Sequence, residues 1–275
     1  MGESIQCVIT DLDYTLLNSQ REIHPDDLAA LCRLRERGIP FTFVTGRHYM
    51  FARKFVRLTG LRLPFSSSNG ALIWDPAAGK ALKINTLDPA LCRRVVSYGI
   101  SLGIPMSVHA VSGIYATAGN PRLQVFRDFN SHLDDPADYF MPEILEPDSF
   151  SYENVFKISA YNQEGQDVKV LLSPILDQTG LQTDYSESCL LDITRPDSTK
   201  ADGVRALAHF IGFDPAHAMA FGDNHNDLSL LKSVGHPIAM ANAVPELKAV
   251  AEFVTRSCDE AGVSFALQKF WPHTT

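Results

Sequence analysis

The chain has 275 residues, 45% of them hydrophobic, and a formal net charge of -8 at pH 7. This length and apolar content can supply the core of one large domain or of two modest ones. The acidic balance excludes general binding to nucleic acid, because such binding rests on Lys and Arg side chains that neutralise phosphates. A small anionic ligand stays open, since a local site and not the net charge would bind it.

The sequence carries no sign of secretion or of a membrane span. Its five cysteines are scattered and form no CxxC pair, which favours reduced structural thiols. The first ten residues lack the basic and long apolar segments of a signal peptide, and no apolar run approaches the roughly 18 residues of a membrane helix. We therefore predict a cytoplasmic protein with neither nucleic acid nor membrane as a partner, and leave the oligomeric state open.

The first part of the chain alternates short apolar runs with helical patterns. Pro25 suits the start of a helix, leucines recur at helical spacing after it, and Gly38 stands where a C-terminal cap belongs. Asn69-Gly70 predicts a hairpin with a type I′ turn, since both residues tolerate positive φ. The predicted strands cover 7–9, 41–44 and 63–65, and a second helix covers about 49–59. This order indicates a parallel sheet flanked by helices.

The middle of the chain departs from this alternation, and the end returns to it. A hairpin at 106–109 and 113–117, a strand at 155–160, a helix around 168–176 and further helices and strands predict a separate α+β domain with an antiparallel sheet. After it come predicted helices at 203–211 and 228–234, and strands at 218–221, 237–240 and 253–255. We predict an α/β protein whose main domain (1–84 and 191–275) carries an inserted α+β domain (85–190).

Acidic residues follow two of the predicted strands directly. The first segment runs from Asp11 to Thr15 (DLDYT), and the second from Gly222 to Asp227 (GDNHND). A single aspartate in such a place is better explained as a turn residue or helix cap, whereas two acidic strand ends bordering one crevice would bring four carboxylates together. Because like charges at close range need a cation, and oxygen ligands favour a hard ion, the pattern points to Mg²⁺ rather than Zn²⁺.

Two further segments are candidates for binding an anion. Thr45-Gly46-Arg47 follows the second strand, where a hydroxyl and free N–H groups at a helix start could bind phosphate oxygens. An ordinary N-cap role for Thr45 explains the same residues almost as well. Lys200 precedes the helix that re-enters the main domain, and taken alone a single lysine is usually solvated surface.

Five segments stand in the order found in one enzyme family: DLDYTLL, TGR, SNGALI, the Lys200 region and AFGDNHNDLSLL. In this the chain resembles the haloacid dehalogenase-like phosphatases, and most closely their Cof-type subfamily with a type IIB cap. The resemblance covers nearly the whole chain, and five ordered motifs are far more specific than any one of them. It implies a Rossmann-like catalytic core at 1–84 and 191–275, and a C2B-type cap at 85–190.

The resemblance also implies roles for individual residues. Asp11 would be the nucleophile, and Asp13 the acid and base whose backbone carbonyl also binds the metal. The implied metal ligands are Asp11, Asp13 and Asp223, with Asp227 supporting the cluster. The residues implied to bind phosphate or substrate are Leu12, Thr45, Gly46, Arg47, Lys200 and Asn226.

Two segments depart from the family pattern. Tyr14 stands where relatives usually have Gly, and Pro196-Asp197-Ser198-Thr199 replaces the usual Pro-x-Gly-Val-Ser before Lys200.

The resemblance implies a Mg²⁺-dependent phosphoric monoester hydrolase that acts on sugar phosphates or related metabolites through an aspartyl phosphate. Two alternatives stay open: a phosphomutase of sugar phosphates, and a non-catalytic regulator that binds a phosphometabolite.

Overall fold

The structure is a computed structural model that describes residues 5–133, 135–162, 166–187 and 189–270. Its strands are β1 Cys7–Thr10, β2 Phe41–Phe43, β3 Phe65–Ser67, β4 Leu72–Asp75, β5 Lys80–Ile84, β6 Met106–Ala110, β7 Gly113–Ala116, β8 Glu143–Ile144, β9 Val155–Tyr161, β10 Gln182–Glu187, β11 Leu190–Thr194, β12 Ala218–Gly222, β13 His236–Ala239 and β14 Phe253–Val254. Its helices are α1 Pro25–Glu36, α2 Tyr49–Thr59, α3 Pro89–Ser101, α4 Arg122–Ser131, α5 Val168–Leu176, α6 Lys200–Ile211, α7 Leu228–Leu231, α8 Pro245–Lys248 and α9 Gly262–Phe270. None of the helices described is long and apolar enough to cross a membrane.

The described residues divide into two compact units. The second consists of His48–Lys54 and Ile84–Ser198, and the first of the remaining residues. The sequence predicts an inserted domain at 85–190. In the structure this unit runs on to Ser198, because β11 pairs with β9 and β10 and so belongs to the same sheet.

The first unit is built on a five-stranded parallel sheet with the order β14-β13-β12-β1-β2. From β1 the chain goes to β2 on one side, and it returns much later to β12 on the other side. The carboxyl ends of β1 and β12 therefore border the point where the strand order reverses, which is where ligands bind in open α/β sheets. The parallel-sheet core predicted from the sequence is confirmed.

The central strands of this sheet are buried along their whole length and are mostly apolar. All of the residues of β1 and of β12 are buried, as expected for a parallel sheet with helices on its faces. Leu31 and Leu34 of α1 are also buried, and each contributes about 1.5–3 kcal/mol by leaving water. Gly38 follows the C-terminal end of α1 with φ +70, the left-handed conformation that its predicted capping role requires.

The loop between β3 and β4 corrects the predicted two-residue turn. The two strands do pair as a hairpin, but the last pair is Ser67 with Leu72, so four residues connect them. Within the loop Ser68, Asn69 and Gly70 all have positive φ. A Cβ at Gly70 would lie 2.1 Å from the carbonyl oxygen of Thr199, so the chain just before α6 packs directly on this loop. The tertiary contact, and not the Asn-Gly pair alone, determines its shape.

Three predicted boundaries also move. The strand predicted at 63–65 is Phe65–Ser67, which starts after Pro64, a residue that has no N–H to donate to a ladder. The helix predicted at 203–211 begins at Lys200, because the side chains of Thr199 and Asp202 form a capping box around its first turn. The helix predicted at 228–234 is a 3₁₀ turn, His225–Asp227, followed by α7, which ends at Leu231.

The second unit contains a six-stranded sheet with the order β10-β11-β9-β6-β7-β8. Its pairings are antiparallel except for β7 with β8. Apolar residues of α3 and α5 pack with residues of the central strands, for example Val96 and Leu172 with Val108 and Ile158. Together with the parallel-sheet unit, this confirms the predicted combination of an α/β core with a further α+β sheet.

Candidate active site

The acidic segments that follow β1 and β12 meet at one place. The backbone N–H of Asp11 donates to the carbonyl oxygen of Phe221 at 3.1 Å, so the ladder between the two strands fixes the start of the first segment. Carboxylate oxygens of Asp11, Asp223 and Asp227 all lie within 4.8 Å of one another, and all three residues are buried. The structure thus brings together three of the four aspartates whose convergence the sequence predicted.

Lys200 places a positive charge inside this cluster. Its Nζ lies 2.9 Å from Oδ1 of Asp11 and 2.5 Å from Oδ1 of Asp227, and the side chain is fully buried. Although burial opposes its charge, the two aspartates raise the pKa of Lys200 further above its usual value. The unusual loop before Lys200 supplies Thr199 as the N-cap of α6, so the lysine occupies the first helical position. Lys200 is therefore not solvated surface.

Asp227 fixes the backbone of the second acidic segment through hydrogen bonds. Its Oδ2 accepts hydrogen bonds from the N–H groups of Asp223 and Asn224, at 3.0 and 3.1 Å. A Cβ at Gly222 would lie 2.6 Å from the Cβ of Asp227, so only glycine leaves room for this side chain. Because both oxygens of Asp227 are engaged within the protein, the residue suits the supporting role that the resemblance implies.

Asp223 is anchored by the first acidic segment. The hydroxyl of Thr15 donates to Oδ1 of Asp223 at 2.9 Å. Burial, and next the charge of Asp227, raise the pKa of Asp223 to about 7, against the opposing effect of this hydrogen bond. Thr15 appeared in the sequence only as part of the DxDxT pattern, and its link to the other segment was not foreseen.

The charge balance of the cluster fits a hard cation. Burial raises the pKa of Asp11 well above its usual value; Lys200 opposes the shift, and the neighbouring aspartates add to it. One lysine thus does not fully compensate three buried carboxylates. The donor set contains only oxygen, which suits Mg²⁺ and not a metal that prefers nitrogen or sulfur. Asp11 and Asp223 are the side chains that could hold the ion.

Asp13 does not join the cluster through its side chain. Arg47 donates from Nε to Oδ2 of Asp13 at 2.7 Å and from Nη2 to Oδ1 at 2.5 Å. Burial would raise the pKa of Asp13, but the hydrogen bonds and charge of Arg47 outweigh it and hold that pKa below its usual value. Arg47 was predicted from the resemblance to bind phosphate or substrate, and here its guanidinium is directed at Asp13.

The remaining predicted residues lie around the same strand ends. The hydroxyl of Thr45 accepts a hydrogen bond from the N–H of Arg47 at 3.1 Å, which leaves its proton for another acceptor. Leu12 has a fully buried side chain, so only its backbone could contact a ligand. Asn226 donates from Nδ2 to Oδ1 of Asn69 at 3.3 Å, and a Cβ at Gly46 would lie 3.1 Å from the same oxygen. Asn69 thus lies beside two predicted site residues, although the sequence indicated for it only a turn and membership of the SNGALI motif.

Tyr14 occupies a position where the family pattern that the sequence resembles has glycine. Its φ is 55, and its side chain is 52% exposed. Left-handed backbone costs a residue with a side chain about 1–2 kcal/mol, which explains the usual glycine. Asn242 donates from Nδ2 to the carbonyl oxygen of Tyr14 at 2.8 Å and so supports this conformation.

A model of one protein family matches residues 8–267, nearly the whole described chain. The chain belongs to the haloacid dehalogenase-like hydrolases. This confirms the family expected from the five motifs, and it supports the predicted enzyme class of phosphoric monoester hydrolases.

Known proteins of similar sequence or fold match this chain over nearly their whole length. This haloacid dehalogenase-like hydrolase is 28% identical over 283 residues to the 5-amino-6-(5-phospho-D-ribitylamino)uracil phosphatase YwtE of Bacillus subtilis, covering 96% of this chain and 98% of the relative. A solved haloacid dehalogenase-like hydrolase from Bacteroides thetaiotaomicron has a TM-score of 0.83 at 21% identity, covering 97% and 99% of the two chains. The subclass IIB sugar phosphatase BT4131 has a TM-score of 0.79 at 19% identity, covering 96% and 98%. At these identities the solved structures bear on the fold alone.

Proposed function

We propose that this hydrolase is a magnesium-dependent phosphatase of small phosphate monoesters, with Asp11 as the nucleophile. The observation that carries the proposal is the position of Lys200, which joins Asp11 to Asp227 at the strand ends of β1 and β12. The buried ammonium of Lys200 offsets the negative charge of Asp11, and so reduces its electrostatic repulsion of an anionic phosphate ester. The name of YwtE, a phosphatase of a phosphorylated ribityl compound, favours a phosphorylated sugar or a sugar-like metabolite as the substrate.

The reaction needs a covalent step because hydrolysis of phosphate monoesters is very slow without catalysis, with accelerations of up to about 10²¹-fold required. Asp11 would attack phosphorus, so that a bond from its carboxylate to phosphorus forms while the bond to the leaving oxygen breaks. Water would then displace Asp11 from phosphorus and release inorganic phosphate. Each of the two steps is easier than direct hydrolysis.

Proton transfer in both steps would fall to Asp13. It would give a proton to the leaving oxygen in the first step and take one from water in the second. Lys200 would offset negative charge next to Asp11 throughout, while Thr45 and Asn226 would hold phosphate oxygens. Magnesium, when bound by Asp11 and Asp223, supplies positive charge that offsets the charges of the carboxylates and of the ester.

The experiment is a screen of phosphate monoesters with and without Mg²⁺, with release of inorganic phosphate as the readout. We expect release that requires Mg²⁺ and is lost in Asp11→Asn, whereas Asp26→Asn, a change at an exposed aspartate, leaves it intact. Metal-independent release, or full activity of Asp11→Asn, would contradict the proposal. Isomerised sugar phosphate without free phosphate would instead indicate a mutase. We also propose that the protein is cytoplasmic and has neither nucleic acid nor a membrane as a partner.

A further inference from the structure

The side chain of Arg47 makes a two-point contact with Asp13. Its Nε and Nη2 each donate to a different oxygen of the Asp13 carboxylate, at 2.7 and 2.5 Å. A planar guanidinium that binds both oxygens fixes the rotation of a carboxylate as well as its position. A single charge at the same distance would fix only the position.

The backbone and the guanidinium of Arg47 are themselves fixed by contacts with neighbouring residues. Its carbonyl oxygen accepts hydrogen bonds from the N–H of Ser68 and from the hydroxyl of Ser67, both at 2.9 Å. Its guanidinium carbon lies 5.1 Å from the centre of the Phe55 ring, within the range of a cation–π contact. The arginine side chain is 13% exposed, against 40% for Asp13, so the guanidinium is a buried support behind a more accessible carboxylate.

We infer that Arg47 is a positioning residue for Asp13 and not a ligand of the phosphate. The inference rests on the proposed function. In the first step the bond from phosphorus to the leaving oxygen breaks, the bond from Asp11 to phosphorus forms, and the proton of the Asp13 carboxyl passes to the leaving oxygen. Asp13 is then a carboxylate, and the guanidinium of Arg47 stabilises the charge that has just formed. The two-point contact in the structure is the one that the ionised carboxylate makes, so it fixes the orientation of Asp13 in its charged form.

This role makes the effect of Arg47 depend on the leaving group. An alkoxide leaves poorly without a proton, so an alkyl phosphate needs Asp13 in the correct orientation. p-Nitrophenolate is a stable anion and leaves without protonation. A residue that bound phosphate would affect both esters equally, because both present the same phosphoryl group.

The test compares kcat/KM for p-nitrophenyl phosphate with kcat/KM for the best alkyl phosphate of the screen. We expect Arg47→Ala to lower the value for the alkyl ester about 100-fold, which is within the usual contribution of a general acid, and the value for the aryl ester less than about 10-fold. Arg47→Lys should not restore kcat/KM for the alkyl ester, because an ammonium cannot bind both oxygens of the Asp13 carboxylate in this way. In an Asp13→Asn background, Arg47→Ala should add little, since the two residues act as a unit.

The matched control is Arg195→Ala. Arg195 binds both oxygens of Asp197 in the same way, at 2.8 and 3.0 Å, but this pair is about half exposed. Neither ester should be affected by its loss. Retained hydrolysis of the aryl ester shows that Arg47→Ala is folded. Equal losses for both esters, or full recovery with Arg47→Lys, would overturn the inference while leaving the proposed function intact; no hydrolysis by the wild-type protein would instead contradict the proposed function.

Discussion

Replacing Lys200 with methionine should destabilise the metal-free protein strongly. The substitution keeps an unbranched side chain in a fully buried position but removes the charge that contacts Asp11 and Asp227. Removing one partner of a buried ion pair typically costs about 3–5 kcal/mol, because the remaining charge is left uncompensated. Two carboxylates lose their partner here, so we expect a loss in the upper part of that range.

Magnesium should reverse part of this loss. A ligand that binds only the folded state stabilises it by about 2.7 kcal/mol at 100 times its dissociation constant. Without the lysine the carboxylate cluster is more negative, so Mg²⁺ should stabilise Lys200→Met more than it stabilises the wild-type protein. The assay is urea denaturation of both proteins, in a chelator and in saturating Mg²⁺.

The second unit offers a matched control. Lys157 forms a buried pair with Asp192, with Nζ 2.9 Å from Oδ2, and both side chains are less than 10% exposed. Lys157→Met should cost a similar free energy of unfolding, but Mg²⁺ should bring no extra gain. The reasoning is refuted if Lys200→Met costs less than about 1 kcal/mol, the value typical of exposed pairs, or if Mg²⁺ stabilises both variants equally.

Three further outcomes are expected. The folded pKa of Asp223 is about 7, above its ordinary value of 3.8, so the folded state holds this proton more tightly. The stability of the metal-free protein should therefore fall as pH rises from about 4 to about 7, and Asp223→Asn should flatten that slope in thermal melts. Gly222→Ala should displace Asp227 and lower both stability and Mg²⁺ affinity, measured by calorimetry, whereas Gly79→Ala, in an open turn, should leave Mg²⁺ affinity unchanged. Tyr14→Gly should raise the unfolding free energy in urea by up to about 1 kcal/mol, since glycine tolerates φ 55.

Each of these outcomes can fail in a recognisable way. An unchanged slope in Asp223→Asn would show that another group titrates. Normal Mg²⁺ affinity in Gly222→Ala would show that Asp227 does not hold the acidic segment. A loss of stability in Tyr14→Gly would mean that contacts of the ring outweigh the backbone cost.

The parallel sheet and the positions of the acidic segments could be predicted because their signals are local. A strand such as β1 is a short, mostly apolar run, and Asp11 follows it directly in the sequence. The five motifs added an expected role for each residue, and the structure then placed Lys200 between Asp11 and Asp227.

Features that depend on contacts between distant segments could not be predicted. The loop holding Asn69 has its shape because Gly70 packs against Thr199, far along the chain, and an Asn-Gly pair carries no trace of that contact. The same limit applies to Thr15, whose partner Asp223 belongs to another strand end. Arg47 illustrates it most clearly, since its motif indicates an anion ligand but only the fold shows that the anion is Asp13.

The most direct test of Asp11 as the nucleophile is to look for the phosphoryl group on it. The wild-type protein is mixed with Mg²⁺ and an ester that it hydrolyses, quenched in acid within the first turnover, and digested for mass spectrometry. The account predicts that the peptide containing Asp11 gains the mass of one phosphoryl group, and that this species disappears as inorganic phosphate is released. Turnover with no phosphorylated peptide, or with the phosphoryl group on another residue, would contradict it.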